Sequence, residues 1–131
     1  MSTTTTPVFT GNAAGNIRSS SSLGAAGTAN YNVDYHAKFE ASIHVKNTPG
    51  GSVHATRGLQ IDIYRRYGSS PTTADSPYLT LTMPSAVAST AESCDIPLGP
   101  GYYNIKVTNL DGTNAITVEI TGDTFDSLTT A

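Results

Sequence analysis

From Tyr31 onward, bulky apolar side chains recur at every second position. Phe39, Ala41, Ile43 and Val45 alternate with Glu40, Ser42, His44 and Lys46, and Leu59, Ile61 and Ile63 alternate with Gln60, Asp62 and Tyr64. Leu79, Leu81 and Met83 repeat the rhythm, which Pro84 ends. It returns in Tyr103, Ile105 and Val107, and again in Ile116, Val118 and Ile120. A period of two puts one set of side chains on a core and the other in water, so each run predicts a half-buried strand. Val53 and Ala55 extend the pattern as a short strand. Ala86 to Glu92 is the only stretch with helical character, and it is too short for more than two turns.

The breaks between runs carry turn chemistry. Asn47-Thr48-Pro49-Gly50-Gly51 and Gly99-Pro100-Gly101 combine the fixed φ of proline with the freedom of glycine. Residues 68–77 form a long polar loop. Asp111-Gly112, between two alternating runs, is a strong hairpin signal. Six to eight short strands with such punctuation predict an all-β fold, an antiparallel β-sandwich of immunoglobulin-like or jelly-roll topology.

Residues 1–30 read differently. They are almost all Thr, Ser, Ala, Gly and Asn, and Val8, Phe9, Ile17 and Leu23 are their bulky apolar side chains. So little apolar surface does not offset the entropy of ordering. The expectation is an extended N-terminal arm, flexible or ordered by a partner, followed by a sandwich domain over residues 31–131.

Composition narrows the function classes. Charged residues make up only 13% of the 131-residue chain, and hydrophobic ones 37%. One core of ordinary size is available, under a surface made polar by hydroxyls and amides. The net charge of −3 argues against nucleic acid as a partner. Cys94 has no second cysteine to pair with. No run of apolar residues is long enough to span a membrane as a helix, and no basic, apolar leader precedes Arg18, so no membrane partner and no secretory signal are expected.

Candidate chemistry is sparse. His44 falls on the polar phase of its strand, His54 is out of phase with Val53 and Ala55, and no spacing makes these or His36 converge with a nucleophile or a metal. Asp111, Thr113, Asn114, Asp123 and Asp126 are oxygen donors near turns, but a calcium-loop spacing is missing. The reading is therefore not an enzyme, with no cofactor and no metal. Arginine and tyrosine cluster instead: Tyr64-Arg65-Arg66-Tyr67 closes a strand and Arg57 lies just upstream. Both residue types are enriched at protein interfaces. Val8, Phe9, Ile17, Leu23, Arg57, Tyr64, Arg65, Arg66 and Tyr67 are thus the candidate contact residues.

Three segments resemble small virion structural proteins of tailed bacteriophages. They are Asn47 to Gly51, Leu59 to Gly68 and Gly101 to Asp111, within a region of likeness over residues 30–121. The resemblance implies a β-sandwich that decorates or cements a capsid. Its partners would be the major capsid protein or other virion subunits, and it would act as a homo-oligomer, a trimer being one option, assembled in the host cytoplasm. The alternatives are a neck, connector or tail component, and a carbohydrate-binding or tail-associated adhesion module. For the last of these, Tyr31, Tyr35 and Tyr78 are the candidate stacking platform.

Overall fold

Strands form where apolar side chains alternate, and the partner strand is set by which faces can meet. In the computed structural model, which describes residues 5–8, 15–51, 53–66, 68–72, 75–84, 87–125 and 127–130, ten strands are present. They are β1 (Thr5–Val8), β2 (Gly15–Leu23), β3 (Thr28–Asp34), β4 (Glu40–Pro49), β5 (Leu59–Arg66), β6 (Leu79–Met83), β7 (Glu92–Leu98), β8 (Tyr102–Asn109), β9 (Ile116–Phe125) and β10 (Ser127–Thr130). Two four-stranded antiparallel sheets, ordered β2-β9-β4-β7 and β3-β8-β5-β6, make the sandwich, and β1 pairs with β10. In this order the first strands of the sandwich pair with its last, and the middle strands fill in beside them. That is a jelly roll, one of the two topologies expected. No helix occurs among the described residues, so the short helical expectation after Pro84 does not hold.

The core is the sum of the inward phases. Ala41, Ile43 and Val45 of β4, Ile116, Val118 and Ile120 of β9, and Ile96 and Leu98 of β7 are buried on one sheet. Leu59, Ile61 and Ile63 of β5, Tyr103, Ile105 and Val107 of β8, and Met83 of β6 face them from the other. Burying this much aliphatic and aromatic surface is the main drive to close the two sheets on each other.

Residues 15–30 depart from the expected arm. β2 pairs along β9 and β3 along β8, so the expected boundary at residue 31 falls inside a strand. Two physical causes explain it. Leu23 is buried and Ile17, Ala29, Tyr31 and Val33 pack against the core, so the segment does contribute apolar surface. The serines between need none, because a ladder is held by backbone groups. Arg18 stabilises the irregular part of β2: its guanidinium donates to the Val118, Ser21 and Ser22 carbonyls at 3.1, 3.3 and 3.0 Å and to the Tyr31 hydroxyl at 2.5 Å.

Two further expectations shift. Val53 and Ala55 lie on a loop, with Ala55 buried and Val53 exposed. β7 is a strand without a strong sequence signal. Pro97 interrupts its pattern and is tolerated because β7 is an edge strand, pairing among the described residues with β4 alone.

Loops gather at the two ends of the sandwich. Among the described residues, one end carries 35–39, 68–72, 75–78 and 99–101; the other carries 24–27, 50–51, 53–58, 84, 87–91 and 110–115. The latter is tied by Asn109 and Asp111. Asn109 Nδ2 donates to the carbonyls of Leu23, Gly24 and Asn114 at 3.3, 3.0 and 2.8 Å. The Asp111 carboxylate accepts the backbone N–H groups of Thr56, Thr113 and Asn114 at 3.0, 2.8 and 2.9 Å.

Candidate functional site

β5 ends in Tyr64-Arg65-Arg66, and alternation sends these side chains to different places. Arg65 occupies the inward phase, where the sandwich runs out of aliphatic neighbours. Its guanidinium carbon lies 5.6 Å from the Tyr103 ring centroid and 5.3 Å from that of Tyr78, and Nη2 donates to the Pro100 carbonyl at 2.8 Å. A cation between two aromatic faces is held by their quadrupoles as well as by the hydrogen bond. Gly101 makes room for it: a Cβ there would sit 3.2 Å from Arg65 Nε, and its φ is +153°. Tyr103 is fixed from its other side by the hydrogen bond of its hydroxyl to the Gly99 carbonyl at 2.7 Å and by the tilted ring of Tyr35, 6.2 Å away.

Arg66 takes the outward phase and reaches the loop that follows. Nη2 donates to Asp75 Oδ1 at 2.6 Å, and Asp75 Oδ2 accepts the Thr72 N–H at 2.8 Å. The Arg66 hydrogen bond first, then that of Thr72, holds the Asp75 carboxyl below the ordinary carboxylate range. The loop is thereby pinned, and Tyr78 at its far end donates its N–H to the Ile63 carbonyl at 2.6 Å. The Tyr78 ring is 56% exposed, against Arg65 on one side.

Tyr102 stands across from Arg66 and Asp34 on the same sheet. Its ring stacks on His36 with centroids 4.6 Å apart and planes 9° from parallel. His36 Nδ1 meets the Asp34 carboxylate, which also accepts the His36 N–H at 3.1 Å. The side-chain hydrogen bond leads the effects that lower the Asp34 pKa. Between these groups opens a cleft of about 190 Å³ lined by His36, Arg65, Pro100 and Gly101. Its walls are the His36 ring, the Arg65 guanidinium and the Pro100-Gly101 turn at one end of the fold.

The remaining candidates divide. Leu23 and Tyr64 are buried, 6% and 5% exposed, so neither presents a surface to a partner in the folded chain. Ile17 packs against the core. Arg57 is exposed on the loops of the opposite end, away from Arg65 and Arg66. Phe9 and Tyr67 lie outside the described residues, as does the side chain of Val8. Tyr31 and Tyr35 do not join Tyr78 in a platform: Tyr31 turns inward to accept from Arg18, and Tyr35 is in the core cluster. The aromatic groups that reach solvent at this end are instead Tyr78, beside Arg65, and the stacked pair Tyr102–His36. The sequence signal for this pair was the glycine-bounded Gly101-Tyr102 step, while the approach of His36 depends on tertiary contacts that spacing does not encode.

No group of three or more metal-ligating side chains gathers among the described residues. His44 meets Asp95 at 2.6 Å on the outer face of the other sheet. Asp111 spends its oxygens on backbone N–H groups, which accounts for its place in the turn. Burial first, then the neighbouring Asp95 charge, pushes the Cys94 thiol pKa up, opposite to what a reactive thiolate requires.

No protein-family model and no curated protein matches the chain. Solved structures of similar shape include a family 35 carbohydrate-binding module from an environmental isolate, at 18% identity and a TM-score of 0.47, covering 95% of this chain and 81% of that one. A family 36 carbohydrate-binding module in complex with calcium and xylotriose aligns at 16% identity and a TM-score of 0.42, over 98% and 100% of the two chains. The K1 cleaved adhesin domain of Lys-gingipain from Porphyromonas gingivalis W83 aligns at 9% identity and a TM-score of 0.45, over 94% and 98%.

Proposed function

We propose that the chain is a binding module rather than a catalyst, and that its ligand is a carbohydrate taken at the loop end beside Tyr78. The observation that carries this reading is the half-exposed Tyr78 ring, braced by Arg65 at 5.3 Å, next to the cleft of about 190 Å³. That volume is of the order of the ~150 Å³ cavity that admits one six-membered ring. A sugar ring has an apolar face for stacking and a rim of hydroxyls for hydrogen bonds. Tyr78 and the Tyr102–His36 pair supply the former, and Asp34 and Arg66 offer partners for the latter. Titration calorimetry against a panel of soluble glycans tests it. Saturable binding that Tyr78→Ala weakens tenfold or more supports the reading, and a panel with no binder removes it.

Assembly onto a virion through the major capsid protein or other virion subunits is a second reading with an observation of its own. Val53 and Val87 are 76% and 55% exposed on loops joined by the Ser89 N–H donating to the Gly50 carbonyl at 3.0 Å. Exposed apolar side chains on two linked loops suit a protein contact. Mass-spectrometric copy number in purified phage particles tests this: hundreds of copies mean a shell protein, a dozen or fewer a neck or tail component, and none ends the reading.

A further inference from the structure

The outer face of the β3-β8-β5-β6 sheet continues away from the cleft. Asn32, Asn104 and Tyr64 stand opposite one another on three neighbouring strands, and Lys106 and Asp62 form the next row. Two properties separate this face from an ordinary wetted sheet. Three of its polar side chains are covered: Asp62, Tyr64 and Asn104 are 5%, 5% and 6% exposed. One of them is also incompletely bonded. Asn104 Nδ2 donates to Asn32 Oδ1 at 3.0 Å, whereas Asn104 Oδ1 is buried and accepts no hydrogen bond among the described residues. Asp62 shows the contrast, its carboxylate accepting from Gln60 Nε2 at 3.0 Å and from Thr80 Oγ1 at 2.8 Å. A buried carbonyl oxygen without a donor keeps its full desolvation penalty, so a group that brings a donor completes the face.

We propose that this row is a second subsite, at which a polyhydroxylated chain seated in the cleft lays down a further sugar and donates an O–H to Asn104 Oδ1. The inference rests on the carbohydrate reading and extends it from a single ring to a chain. Continuity is built into β8. Tyr102 and Asn104 are alternate residues on one face, about 7 Å apart along the strand, and Tyr102 stacks on His36 at the cleft. The oxygen is closed over in the free protein, so the donor arrives only as a neighbouring side chain turns aside. Tyr102 and Lys106, both partly exposed, are the long side chains next to Asn104 along this face.

Calorimetry of the full chain with cello-, xylo- and manno-oligosaccharides of one to six sugars tests the subsite. Affinity should rise about tenfold once the oligosaccharide outgrows the cleft, the scale of one satisfied buried hydrogen bond. Asn104→Ala, with its fold checked by thermal melting, should abolish that rise. Should it fail to fold, the near-isosteric Asn104→Leu, which likewise lacks the acceptor oxygen, carries the same test. Binding without any dependence on length, or a rise that survives in the variant, overturns the subsite and leaves the carbohydrate reading standing. No binding to any of the three series overturns both.

Discussion

Asn109 Oδ1 accepts the backbone N–H of Asp111 at 3.0 Å, and through that bond two neighbouring side chains organise a whole end of the sandwich. The Asn109 amide holds the β2–β3 turn, and the Asp111 carboxylate holds Thr56 and the β8–β9 turn. Replacing the fully buried Asn109 by Ala strands several carbonyls at once. We expect a loss on the order of 2–4 kcal/mol, read as a shift of the urea midpoint at unchanged slope.

The same carboxylate makes stability depend on pH. The N–H groups of Asn114, Thr56 and Thr113 hold the Asp111 pKa below its ordinary value. A depressed folded pKa adds stability that is complete above the unfolded carboxylate pKa, about 3.9. That contribution fades as pH falls below it, through the folded value. Urea midpoints measured from pH 6 down to pH 2 should therefore fall more steeply for the wild type than for Asp111→Asn.

Serine-rich β2 is part of the sandwich, and truncation should show it. Deleting residues 1–23 removes the strand beside β9 together with buried Leu23, so the remainder should lose its cooperative thermal transition. Leu23→Ala alone should cost about 2–4 kcal/mol. A truncated chain that melts like the wild type would return the segment to the status of a loose arm.

Gly58 has a φ of +90°, and a Cβ there would lie 2.2 Å from the Met83 carbonyl oxygen. Backbone strain and overlap act together, so Gly58→Ala should destabilise by roughly 1–3 kcal/mol or more. Gly112, whose added Cβ meets nothing within 4 Å, is the control: Gly112→Ala should change the melting temperature little.

How much was legible in the sequence follows from where each strand's stability originates. β4, β5, β8 and β9 announce themselves because they bury an unbroken apolar phase, Ile43 and Val45 or Ile61 and Ile63 being typical. β2 and β3 are held largely by backbone pairing to strands far along the chain, and Ser19 to Ser22 give no apolar periodicity to read. β7 was hidden by Pro97. At the site, the Tyr64-to-Arg66 strip was visible as a cluster, but not that alternation would bury Tyr64 while sending Arg65 to the cleft and Arg66 to Asp75. The Tyr102–His36 stack brings a strand residue onto a loop residue and leaves no trace in local spacing.

The bond from Arg18 Nε to the Val118 carbonyl joins positions 100 residues apart. A polypeptide emerging from the ribosome thus holds β2 and β3 without partners until nearly the last strand has been made. Closure of such distant ends is entropically slow, and ribbon edges left open in the meantime invite pairing with other molecules. Assembly should therefore run outward from the β5–β6 and β4–β7 pairs, whose members are all made before β8 and β9, with the first-synthesised strands docking last.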